Sequence, residues 1–128
     1  MSRKLVLLPS AVATAQSLAA AFTTTPTVLS YQDNVAYQIN VTTTDSTGDF
    51  EVQASMDYVP SGTGSVPPNA GTWATLTMDG TPVAAAANDV IAISLNQVPF
   101  KALRIAYTPT VAGTGTCDIS IMARTVGA

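Results

Sequence analysis

With 128 residues the chain can close one hydrophobic core and is too short to divide comfortably into two domains, so 1–128 is read as a single domain. Hydrophobic residues make up 47% of it and charged residues only 10%, where ordinary globular domains carry roughly a quarter; a surface so poor in charge is seldom left bare. The net charge of −3 and the scatter of the five basic residues, Arg3, Lys4, Lys101, Arg104 and Arg124, exclude a phosphate-tracking surface and predict no direct contact with nucleic acid.

The start, "MSRKLVLLPSAVATAQS", has the order of a signal peptide: basic residues, an apolar stretch, then Ala13-Thr14-Ala15. Pro9 and Ser10 break the apolar stretch early, and the expectation is an uncleaved protein made in its host's cytoplasm. Residues 1–16 read as an extended N-terminal arm or as the first strand of the domain, with Leu5, Val6, Leu7 and Leu8 as candidate interface residues. Residues 11–22 are interrupted by Thr14, Gln16 and Ser17 and are too short to span a bilayer, so no membrane partner is expected. Thr23-Thr24-Thr25-Pro26 ends this region, and Thr27 to Ser30 resumes an extended run.

"NVAYQINV" places Val35, Tyr37, Ile39 and Val41 on one face, the period of two of a half-buried strand. "FEVQASMD" repeats it with Phe50, Val52, Ala54 and Met56 inward. Asp45-Ser46-Thr47-Gly48 lies between them with turn chemistry, which predicts that the two strands form a hairpin. The Pro- and Gly-rich segment 59–72 is a surface loop and the chain's best contact loop. Trp73, Leu76 and Met78 follow before an Asp79-Gly80 turn, and Trp73 is read as a core residue.

Three further strands complete a sandwich inventory. "VIAISL" buries Ile91, Ile93 and Leu95; "KALRIAY" buries Leu103, Ile105 and Tyr107; "CDISIMA" buries Cys117, Ile119, Ile121 and Ala123. Gly113-Thr114-Gly115 joins the last two. The predicted fold is all-β, an antiparallel β-sandwich of Ig-like or jelly-roll type with an extended N-terminal arm.

Chemistry is sparse. The chain has no histidine, which removes the commonest general base and every Ser-His-Asp or Cys-His arrangement. A lone Cys117 excludes an internal disulfide and multi-cysteine zinc sites, and it reads as a buried, inert thiol. Asp45 and Asp49 flank one turn but lack the spacing of a calcium loop. No enzyme activity, cofactor or metal is expected. Arg104, on the strand phase opposite Leu103, is the residue most open to a role, with Lys101 nearby. It reads as a solvated arginine whose stem covers apolar surface, or as an anchor in a subunit contact or ligand groove.

Taken in order, "FTTTPTVLSYQDNVAYQINV", "GDFEVQASMDYVP", "GTWATL", "ISLNQVPFKALRIAYTPT" and "GTGTCDISIMA" resemble small virion proteins of tailed bacteriophages and prophages, from about Ser17 to Arg124. The resemblance implies a β-sandwich subunit on the phage particle, a head decoration or minor capsid protein or a neck or tail component. Its partners would be other capsid or tail subunits and further copies of itself, with the virion as its location. The alternative is a glycan- or receptor-binding β-sandwich using Tyr31, Tyr58 and Trp73 as stacking rings. Burial of Trp73 favours the building module; exposed rings beside the 59–72 loop favour the binder.

Overall fold

The computed structural model describes residues 6–29, 34–43, 45–60, 67–76, 83–85, 90–95 and 100–124, with side chains undescribed at 6–9 and 83–85. These residues form strands and no helix: β1 (Val6–Ser17), β2 (Phe22–Thr23), β3 (Thr27–Val28), β4 (Asn34–Thr42), β5 (Thr47–Ser55), β6 (Ala74–Thr75), β7 (Val83–Ala85), β8 (Val90–Leu95), β9 (Ala102–Val111) and β10 (Thr116–Arg124). The Asp79-Gly80 turn, Met78, Tyr31 and Leu5 lie outside the described residues.

The strands stack as two antiparallel sheets, a β-sandwich as the alternation predicts. The front sheet runs β1-β10-β4-β8 and the back sheet β2-β9-β5-β6, with β3 also on β9 and β7 also on β5. Pairing is nested from the ends inward: β1 with β10, β2 and β3 with β9, β4 with β8, and β5 with β6 and β7. One long antiparallel ribbon is thereby rolled up, and the roll is closed by β10 on β4 and β9 on β5. This is the jelly-roll arrangement, which decides between the two sandwich types expected.

Rolling the ribbon sends β4 and β5 to opposite sheets, and this overturns the expected hairpin. β4 and β5 do not pair; the chain passes from the front sheet to the back between them, and both strands turn their apolar side chains into the space between. The crossing from β9 to β10 through Gly113-Thr114-Gly115 does the same in reverse. Met56 is a second correction: it is 74% exposed, because β5 ends at Ser55, whose hydroxyl takes the backbone N–H groups of Asp57 and Tyr58 and turns the chain outward. Of the two readings of the start, arm and first strand, Val6–Ser17 takes the strand, pairing Val6 with Arg124 and Leu7 with Ala123. Its register slips three times, and Ala15 adopts φ +47°, donating its N–H to the Asp118 carboxylate at 2.7 Å. Bulges of this kind blunt an edge strand against stray pairing.

The core is the space between the sheets. Val35, Tyr37, Ile39, Val41, Ile91, Ile93, Leu95, Cys117, Ile119, Ile121 and Ala123 fill it from the front, and Phe50, Val52, Ala54, Leu103, Ile105 and Tyr107 from the back. Each large apolar side chain so buried contributes about 1.5–3 kcal/mol. Tyr107 is the pivot of the back layer, with ring centroids 4.8 Å from Phe50 and 5.4 Å from Phe22. Its hydroxyl lies against Gly48 and donates to the Thr47 carbonyl at 3.2 Å, so a Cβ at Gly48 would collide with it.

Candidate functional site

Two surfaces remain once the core is filled, one on the outside of each sheet. On the front sheet the outward residues form rows across β10, β4 and β8: Met122, Ala36 and Ser94; Ser120, Gln38 and Ala92; Asp118, Asn40 and Val90. Charge appears on these strands as Asp118, within β10 and accepting the Ala15 N–H, and as Arg124 at its end. The interior of the face is small, neutral and partly apolar, with Val90 and Met122 exposed. Two shallow grooves of about 250 and 320 Å³ cross it, both lined by Ala36 and Met122.

The back sheet presents a different surface. β5 and β9 set Gln53 opposite Arg104, and both point outward by the strand alternation. Arg104 Nε donates to Gln53 Oε1 at 2.8 Å, and its guanidinium carbon lies 4.2 Å from the centroid of the Trp73 ring, a cation–π contact. The Tyr58 ring centroid is 5.7 Å from that of Trp73. Arg104, Trp73 and Tyr58 are all half-buried, so the expectation that Trp73 belongs to the core is corrected: it packs outside the back sheet, over an arginine. Burial pulls the Arg104 pKa below its usual value. Among the described residues no carboxylate pairs with it, and the nitrogens beyond Nε have no protein acceptor.

The loop holds the rings by its own bonds. The Asp57 carboxylate accepts the Thr72 N–H at 2.7 Å and hydroxyl at 3.0 Å, and the Ser55 hydroxyl at 2.8 Å; these bonds, the Thr72 N–H first, hold its pKa below the ordinary carboxylate range. Val59 bridges to Asn69, whose side chain accepts the Gly71 N–H. Trp73 Nε1 donates to the Ala70 carbonyl at 2.8 Å, which leaves the indole to act by its ring. Gly71, at φ +88°, sits between Ser55, Tyr58 and the indole nitrogen, where a Cβ would crowd all three.

The sequence-predicted residues divide between these surfaces. Val6, Leu7 and Leu8 lie on the edge of the front sheet, and Lys101 is exposed just before β9, its N–H on the Ser55 carbonyl. Arg104 joins Trp73 and Tyr58, while Gln53 was missed; the only signal for it is the register of β5 on β9, which a single sequence does not display. Asp45 accepts the Thr114 N–H across the two crossings, Asp49 lies exposed along β5, and no cluster of three acids, cysteines or histidines occurs among the described residues. No protein-family model matches the chain, and no curated protein matches it.

Proposed function

We propose that the chain is a structural subunit of a bacteriophage virion, a head decoration or minor capsid protein that stabilises the particle through contacts with neighbouring subunits and copies of itself. The observation that carries this reading is the neutral outer face of the front sheet. Four strands of up to some nine residues give a plane of roughly 19 Å by 30 Å, about 570 Å², around two thirds of one partner's share, about 800 Å², of a standard interface. Covering it meets little charge: Asp118, whose carboxylate already accepts the Ala15 N–H, and Arg124 at the end of β10. The jelly roll supports the reading as a frequent capsid architecture, although it also serves lectins and by itself chooses no function.

Light scattering of the purified protein, alone and with empty phage shells, tests it. The expected result is a stable oligomer or stoichiometric shell binding, weakened at least tenfold by Ala36→Glu at unchanged melting temperature. A monomer that ignores shells overturns the reading. A glycan-binding module is the second reading, favoured by the half-exposed Tyr58 and Trp73 rings beside the 59–72 loop. Neutral and acidic oligosaccharides titrated against Trp73 fluorescence test that one, and silence from both classes removes it.

A further inference from the structure

We infer that the Arg104, Trp73 and Tyr58 cluster is a site for a sugar acid, the carboxylate seated on the Arg104 guanidinium and the sugar ring against the exposed aromatic surface. The inference rests on the glycan-binding reading and names the ligand class within it. Arg104 is preorganised: its Nε is tied to Gln53 and its guanidinium carbon sits over the Trp73 ring, so little side-chain freedom remains to be lost on binding. The guanidinium nitrogens beyond Nε present N–H donors without a protein acceptor among the described residues, in the fork geometry that matches a carboxylate. A neutral sugar would cover this half-buried cation without giving it the anion it lacks among the described residues.

The surroundings argue for one negative charge and against many. Arg104 is the cluster's single cation, whereas Asp57 anchors the loop through Thr72, and Glu51, two positions along β5 from Gln53, accepts the Thr75 hydroxyl at 3.1 Å. A phosphate-rich ligand would meet the repulsion of both carboxylates. One carboxylate on an otherwise neutral ring meets Arg104 alone. The indole N–H is already given to Ala70, so Trp73 offers a surface and not a donor, which suits the apolar face of a pyranose.

Trp73 is the chain's only tryptophan, so its fluorescence reports this site alone. The full-length protein is titrated with a galacturonic acid trimer, the corresponding galactose trimer, acetate and a short acidic peptide. The expected result is binding of the uronate at least tenfold tighter than of the neutral trimer, weakening with salt. Arg104→Gln should erase that preference and Arg104→Lys restore it only in part, both with an unchanged circular dichroism spectrum. Equal binding of uronate and neutral trimers overturns the sugar-acid assignment and leaves the glycan reading standing. Binding of neither overturns both. An acidic peptide or acetate that matches the uronate overturns the sugar part, making Arg104 a plain carboxylate anchor.

Discussion

Tyr37 enters the core from β4 with its hydroxyl fully buried, and among the described residues nothing bonds to that hydroxyl. A buried polar group left without a partner carries a penalty of about 1–3 kcal/mol. Tyr37→Phe is therefore expected to raise stability by up to about 2 kcal/mol, seen as a higher urea midpoint at unchanged slope; a lower midpoint would show that the hydroxyl is held. Burial also lifts the ionisation of Tyr37 above the ordinary tyrosine value of 10.0 and that of the Cys117 thiol from 9.0 to about 11. In both cases the folded state keeps a proton that the unfolded state gives up, so stability is complete below pH 9 and declines as pH rises toward 11. Cys117→Val should remove the part of that decline beginning near pH 9 and leave the tyrosine part, beginning near pH 10, in a series of urea midpoints against pH.

Between elements, the two crossings near β5 and β10 are locked to each other by Asp45. Its carboxylate accepts the Thr114 N–H at 3.0 Å, the Thr43 hydroxyl accepts the N–H groups of Asp45 and Ser46, and the Ser46 hydroxyl accepts the N–H of Gly115. These bonds, the Thr114 N–H first, hold the Asp45 pKa below its usual value. The folded state thus prefers the ionised form, and its contribution, present above the usual carboxylate pKa, is lost as pH falls through the depressed one. Asp45→Ala should lower the melting temperature more than Asp45→Asn, which keeps an acceptor for Thr114, and both should flatten the acid limb of melting temperature against pH. The turn residues were legible in the sequence and their use was not. Asp45-Ser46-Thr47-Gly48 reads as a hairpin turn because turn chemistry fixes a reversal of direction, while the choice between pairing with the next strand and crossing to the opposite sheet depends on strands far along the chain. Trp73 was misplaced for a related reason: its position follows from Gly71, Asp57 and the register of Gln53 on Arg104, none of which leaves a periodic trace.

For the molecule as a whole, the alternation of Val35 to Val41, Leu103 to Tyr107 and Cys117 to Ala123 was enough to foresee two layers and the side chains between them. It left jelly roll and Ig-like sandwich undecided, since alternation names a buried face and not a partner. The nested pairing that settles it has a kinetic consequence. Among the described residues even the strand pair closest in sequence, Ala54 with Ala74, spans about twenty residues, and the outermost joins Val6 to Arg124. Loop entropy must be lost before each of these pairings returns stabilisation, so refolding is expected in the millisecond-to-second range of non-local β proteins. Stopped-flow fluorescence of Trp73 measures it, because the indole meets Arg104 only when β5 and β9 are in register. The Trp73 signal should return in that slow range together with backbone circular dichroism. A microsecond return of the indole signal would show that the β5 and β9 contact forms locally, ahead of the roll, and would overturn this account of folding.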